Sequence, residues 1–381
     1  MNPHDLSENR RSHLVRHPTG YWAFVPPPMP RRVEYTNDIV WALNAAVQKV
    51  GNLEGLCRLL PNPYLLSGAY VRREAVLSSR IEGTQSTQPD LYLFEIDAKS
   101  SPRPEDIQEV QNYVKALDYA VARRQTLPLS LRFIRELHGI LMQGVRGQNM
   151  TPGEFRTSQN WIGGRTPSDA RFVPPPVPEM TVALDDMEKF LHRPEQEQIP
   201  PLIESALLHY QFETVHPFLD GNGRVGRLLV IVLALERKCL SNPLLYLSAY
   251  FEKHRNDYYD QLFGVTQTGK WEPWLLFFLD GVADQAADAI RRSETVLALY
   301  DRYRKLGLSA PSLRLLDHLL HNPYITVSRA AELLNAGYTS AKHAIMQLEE
   351  KRVLVPLHPE QKRGQIFVAQ ELMDAFTADM P

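Results

Sequence analysis

The sequence predicts a mainly α-helical protein with a short β-hairpin flap and a C-terminal winged helix-turn-helix, and three observations predict it. Apolar residues recur at spacings of three and four along most of the chain. One glycine-, proline- and aromatic-rich insertion, between Thr151 and Pro178, breaks that rhythm. The final stretch changes again, to short helical segments followed by alternating strands. A chain of 381 residues exceeds the usual single-domain size, so two or three packed units are expected. The pattern divides them at 1–100, 101–300 and 301–381.

Taken in order, residues 1–36 are polar and then proline-rich, which predicts an extended arm with little regular structure. From Asp38 the residues Ile39, Leu43, Ala46 and Val50 mark a helix that Gly51 should interrupt, and a second helix is expected over Tyr64–Ile81. Ser101–Pro104 offers a helix start, followed by Ile107, Val110, Val114, Leu117 and Val121 on one face. Another amphipathic helix begins near Ser130, and after the flap helical periodicity resumes at Val182 and continues, with interruptions, to about Tyr300. Helices near 311–321, 327–334 and 338–350, a turn at Asn335–Gly337, and strands around Val353–Leu357 and Gln365–Val368 complete the C-terminal module.

Hydrophobic residues at 44% and charged residues at 23% are ordinary globular values and exclude disordered or collagen-like classes. A net charge of -2 points to no polyanionic or membrane partner. Only Cys57 and Cys239 occur, outside any metal-ligand spacing, which fits a reducing cytoplasm rather than a disulfide framework. The N-terminus lacks the apolar core of a secretory signal, and no apolar run is long enough to span a bilayer.

Chemistry concentrates in HPFLDGNGRVGR, residues 216–227. Asn222 and Gly223 open a helix whose apolar face carries Val225, Leu228, Leu229, Val232 and Leu235, so His216–Gly221 must be the loop that enters it. A helix start presents unpaired N–H groups and partial positive charge, and Gly221 and Gly223 let phosphate oxygens approach the backbone. Arg224 and Arg227, three apart, emerge on one face toward outer phosphates, while Asp220 at the same mouth suits Mg2+. His216, with an ordinary pKa of about 6.5, is the natural base.

This segment resembles the Fic family signature, His-x-Phe-x-Asp/Glu-Gly-Asn-Gly-Arg-x-x-Arg, which is complete here. The resemblance extends through LRFIRELHGILM, PGEFRTSQNWIGG, HYQFETVHPF and YLSAYFEKHRNDYYDQL, roughly residues 60–290. It implies a Fic-type helical core and transfer of AMP from ATP to a serine, threonine or tyrosine hydroxyl of a protein target, self-modification included. By the same resemblance His216 deprotonates the hydroxyl, Phe218 anchors the loop, and Asp220 holds Mg2+ between α- and β-phosphates. Gly221, Asn222, Gly223, Arg224 and Arg227 would bind the phosphates. Trp161, Ile162 and Gly163 match the family's target-docking hairpin, which pairs with target backbone by strand addition; the alternative for Trp161 is a core aromatic. Tyr258 and Tyr259 match a region that encloses adenine, or they are core packing.

Ser78, Glu82 and Gly83 resemble the family's inhibitory motif, Ser/Thr-x-x-x-Glu-Gly/Asn. Gly83 suits a left-handed helix cap, and the resemblance implies that Glu82 pairs with Arg227 where the γ-phosphate must sit. An alternative gives Glu82 a role in hydrolysing AMP-modified targets. The C-terminal module offers a rival function as a DNA-binding regulator, through Tyr338, Thr339, Lys342 and His343 of a recognition helix and Lys362 and Arg363 of a wing. Residues 301–381 hold ten Lys/Arg against nine Asp/Glu, a balance that suits protein interaction or homodimerisation at least as well.

Overall fold

A computed structural model of the chain describes residues 1–59, 64–96, 104–145, 150–194, 199–361 and 363–377; Ser101 and Lys362 lie outside them. The N-terminal arm holds α1 (Glu8–Arg11), β1 (Leu14–Arg16) and β2 (Trp22–Phe24). Helices α2 (Asn37–Leu59), α3 (Tyr64–Ile81), α4 (Gln88–Ile96), α5 (Pro104–Arg123) and α6 (Leu131–Leu141) lead to the flap. Beyond it come α7 (Val177–Leu191), α8 (Pro201–Val215), α9 (Asn222–Glu236), α10 (Ser248–Lys253), α11 (Arg255–Thr268) and the long α12 (Glu272–Arg304). The C-terminal module consists of α13 (Ala310–Leu319), β3 (Tyr324–Thr326), α14 (Val327–Leu334), α15 (Tyr338–Glu350), β4 (Val355–Pro356), β5 (Ile366–Val368) and α16 (Gln370–Thr377).

Two sequence expectations need correction. The arm is not an extended strap: β1 and β2 pair antiparallel, and the ammonium of Met1 donates to Ala170 O at 2.8 Å. Phe24 is fully buried beside Phe172, and its N–H donates to Val173 O at 2.9 Å, so the two FVPPP segments meet. Local composition carries no sign of such a partner. Nor does Gly51 end α2, because Ile39, Ala46, Val50, Leu53 and Cys57 continue one buried face beyond it and pack against α12. The roughly 1 kcal/mol that an interior glycine costs is outweighed by that burial.

Helices α8 and α9 are the centre of the molecule. Every residue of α8 from Leu202 to Phe212 is buried, as is α9 from Val225 to Leu235, so both lack the polar stripe of a surface helix. Trp274 of α12, itself buried, donates Nε1–H to Ala206 O at 2.9 Å. The loop joining these two helices is therefore fixed at both ends by core. The flap is narrower than a full hairpin: Ile162 and Phe172 exchange N–H···O bonds of 2.8 and 3.1 Å in a single antiparallel bridge, and α7 starts at Val177, ahead of the predicted Val182.

In the C-terminal module β5 lies between β3 and β4, all antiparallel, and Asn335 turns left-handed between α14 and α15, which gives the predicted winged helix-turn-helix. β3 and α16 were not predicted. The module is docked on α3 and α4: His321 Nε2 lies 3.1 Å from Arg72, which also pairs with Glu95 at 2.8 Å, and Asn322 donates to Tyr92 O at 3.2 Å. The His321 ring rests where a side chain at Gly68 would be. No helix among the described residues is long and apolar enough to cross a membrane.

Candidate active site

His216 ends α8 in a left-handed conformation (φ 48°, ψ 60°) that is costly for a residue with a Cβ and needs outside support. Its N–H donates to Phe212 O at 2.9 Å, and its carbonyl accepts from Arg156 Nε and Asn160 Nδ2, both at 3.0 Å. Because a carbonyl can only accept, the 3.2 Å contact between His216 Nδ1 and Glu213 O puts the proton on Nδ1. Nε2 is then left as the basic nitrogen. Burial pulls the imidazole down to about 4, so it is neutral at neutral pH and its Nε2 lone pair is free.

Phe218 is fully buried, stacked on His138 with ring centroids 3.7 Å apart. Asn222 braces the same residue twice, accepting its N–H at 2.9 Å and donating to its carbonyl at 2.8 Å. His138 ties the loop to the flap: it accepts from Gly153 N–H at 2.8 Å, which leaves Nε2–H to donate to Asp220 O at 3.0 Å. Gly221 takes the N-cap of α9 at φ 78°, where a Cβ would also strike Met142. No side chain caps α9, so its leading N–H groups remain available to an anion.

Arg224 is buried 3.2 Å from Glu109 of α5, with the half-exposed Asp220 carboxylate 3.7 Å away. Arg227 is enclosed more tightly. Its Nε donates to Ser78 Oγ at 2.8 Å, and its Nη2 to Ser78 O at 2.9 Å and to Glu82 Oε1 at 2.7 Å. Gly83, at φ 100°, ends α3 and turns Glu82 inward, while Gly223 supplies the room: a Cβ there would overlap the Glu82 carboxyl. Burial pushes the Glu82 carboxyl up, but Arg227 outweighs it and holds the group below the usual carboxylate range.

A cavity of about 500 Å³ opens at this point. Glu82, His216, Gly223 and Arg227 line it together with Trp161, Ile162 and Gly163 of the flap and Tyr258 and Tyr259 of α11. Ser78, Phe218, Gly221, Asn222 and Arg224 do not line it; Ser78 holds Arg227, which does, and Phe218 and Asn222 brace each other within the loop. Trp161 is 40% exposed, so it is not a core aromatic. Tyr258 belongs to both readings: its ring stacks on Phe251 in the core and its hydroxyl lies 2.8 Å from His209 Nε2, yet it reaches the cavity. Sequence reasoning missed Arg156, Asn160, His138, Glu109 and Glu213. Arg156 and Asn160 stand in the quoted PGEFRTSQN segment, and their signal was buried polarity, which only the fold reveals.

Together these features define a helical protein in which a histidine-bearing loop and an uncapped helix start meet at a cavity that an internal carboxylate also lines. The Fic/DOC family N-terminal model matches residues 40–122 and the Fic/DOC family model residues 128–234. Residues 40–122 and 128–234 are thus an N-terminal region and a domain of the Fic/DOC family.

Among curated relatives, Protein adenylyltransferase Fic of Aedes aegypti is 28% identical over 185 residues, 49% of this chain and 34% of the relative. Its counterpart in Drosophila grimshawi is 26% identical, over 49% of this chain and 35% of the relative. The match thus spans about a third of each relative's length. A Fic family protein from Desulfovibrio desulfuricans G20 superimposes with TM-score 0.58 at 20% identity, over 90% of this chain and 98% of that one. Fic-1 (aa134–508) from C. elegans gives 0.53 at 19% identity, over 68% and 74%. At these identities the structures speak for the fold alone.

Proposed function

We propose that this chain is a protein adenylyltransferase that moves AMP from ATP to a hydroxyl side chain of a protein, itself included, and that Glu82 restrains it. The observation that carries the reading is the convergence of His216, Gly223, Arg227 and Glu82 on one cavity at the uncapped start of α9. Neutral His216, with Nε2 free of a proton, suits removal of the proton from the target hydroxyl. The oxygen then attacks the α-phosphorus in line, and pyrophosphate leaves with the electron pair of the broken P–O bond. Positioning and charge neutralisation supply most of the acceleration in such transfers. Arg227 and Arg224 are the guanidiniums for the outer phosphates.

Asp220 fits a share in Mg2+ binding, because its carboxylate is half-exposed at the mouth of the loop and phosphate oxygens would supply most other ligands. Bound there, Mg2+ would neutralise charge between the α- and β-phosphates. Trp161, Ile162 and Gly163 would receive an extended segment of the target beside the single Ile162–Phe172 bridge. Tyr258 and Tyr259 would flank the base. The test is the intact mass of the Glu82→Gly protein, alone and with a lysate fraction, after incubation with ATP and Mg2+. An added AMP that vanishes in the double variant with His216→Ala is the expected result. An equal mass gain in that double variant overturns the mechanism.

A further inference from the structure

Glu213 is the one carboxyl in the cavity to which neither the signature nor the inhibitory motif gives a task. It sits one turn before the end of α8, three residues ahead of His216. Its carbonyl accepts from His216 Nδ1, and its side-chain Oε2 lies 4.0 Å from that same nitrogen. The carboxyl is 13% exposed and lines the cavity, while its Oε1 is buried with no hydrogen-bond partner among the described residues. Room for it comes from Gly226 of α9, where a Cβ would overlap Oε1. A buried polar atom left unpaired is costly, and one that persists calls for a functional reason.

We propose that Glu213 is the positioning residue of His216: its carbonyl sets the tautomer, and its side-chain carboxylate is the counter-charge for the imidazolium formed during transfer. The inference rests on the adenylyltransferase reading. In the transfer step the target O–H bond breaks and its proton passes to His216 Nε2. The new O–P bond forms as pyrophosphate departs. Positive charge then appears on a ring that burial otherwise keeps neutral, and a carboxylate beside Nδ1 stabilises it.

The groups facing Glu213 set when it can do this. Glu82 approaches from the end of α3, Arg227 from α9, His216 from the loop, and Tyr258 and Tyr259 from α11. Burial pushes the Glu213 carboxyl up to about 8; Arg227 opposes the rise and Glu82 adds to it. Below that pH Glu213 is a neutral acid and His216 a weak base. Above it the carboxylate strengthens the base, so transfer should rise with pH. Replacing Glu82 removes one negative neighbour and lowers the midpoint, whereas the phosphates of bound ATP restore that charge.

The experiment measures kcat and KM for ATP from pH 6.5 to 9 in full-length Glu82→Gly protein and in the same protein with Glu213→Gln, Glu213→Asp or Gly226→Ala. The parent should rise about tenfold across this range, and the Gln variant should stay flat. At pH 6.5 the two should agree within about twofold, because a neutral acid and an amide are then alike, and KM should barely move. Asp should recover part of the slope, and Gly226→Ala should lose it by displacing the carboxyl. Superimposable parent and Gln profiles overturn the role, as does a uniform loss at every pH with a raised KM. If the parent transfers nothing at any pH, the adenylyltransferase reading fails and the role with it.

Discussion

Removing Glu82 should convert the restrained protein into one that binds ATP tightly and modifies protein. In the structure the Glu82 carboxyl receives one charge-assisted hydrogen bond of 2.7 Å from Arg227 Nη2 and fills the space beside Gly223. A bond of that kind contributes about 1.5–3 kcal/mol. With the Glu82 side chain 34% exposed, solvent screening reduces this to about 1–2 kcal/mol. A triphosphate competing for the same guanidinium must displace that contact, so Glu82→Gly should lower the apparent Kd for ATP about five- to thirtyfold. Glu82→Gln, which keeps the bulk and loses the charge, should fall between. Titration calorimetry reads the affinity, and labelled ATP reads the transfer. Unchanged affinity and unchanged labelling in the Gly variant would refute the competition.

The sign of the pH dependence follows from the same pair. The folded carboxyl of Glu82 is held below its unfolded value, so the pairing is complete above the ordinary carboxylate range and is lost only as pH falls through the lowered value. Inhibition should therefore not relax between pH 5 and pH 8.

Three further outcomes are expected. His216→Ala in the Glu82→Gly background should cut transfer about 10²–10⁴-fold while ATP affinity, read by calorimetry, stays within about twofold. Asp220→Ala should raise the Mg2+ concentration for half-maximal transfer about tenfold; an unchanged Mg2+ dependence removes Asp220 from the metal's ligands. Gly68→Val should drive the His321 ring away from α3 and destabilise the protein by about 1–3 kcal/mol in a denaturant melt, whereas His321→Ala together with Gly68→Val should recover part of the loss.

The sequence carried the proposed catalytic half of this site because its constraints are local. A loop that enters a helix start needs glycines at fixed positions, arginines three apart share a face, and these rules survive in one segment of chain. The span of α3 and the starts of α5 and α6 were legible for the same reason, with Ser130 accepting from Phe133 N–H as the cap of α6. What escaped was tertiary. Nothing in residues 1–30 announces that Phe24 will meet Phe172, and Arg156 and Asn160 look like ordinary flap polars until their donors are seen to end on the carbonyls of His216 and Phe218. Glu213 was hidden by a different cause. Its housing, Gly226, occupies a position that the signature leaves unspecified.

That last pairing bears on how restraint and chemistry coexist in so small a space. Gly223, Gly226 and Arg227 lie at helical spacings on one strip of α9, so two absent side chains flank one guanidinium. Glu82 fills the first space and Glu213 the second. Glu82 raises the pKa of both Glu213 and His216, so its negative charge favours the proton on each. A triphosphate that expels Glu82 brings negative charge to the same guanidinium, and the electrostatic setting of the base is largely conserved. On the proposed reading inhibition by Glu82 would therefore be geometric: it would deny the nucleotide its place and leave His216 as basic as before. A pH profile of ATP-saturated Glu82→Gly protein that matched the residual activity of the unaltered protein in shape, differing only in height, is the signature of that arrangement. A displaced profile would mean that Glu82 restrains the base itself.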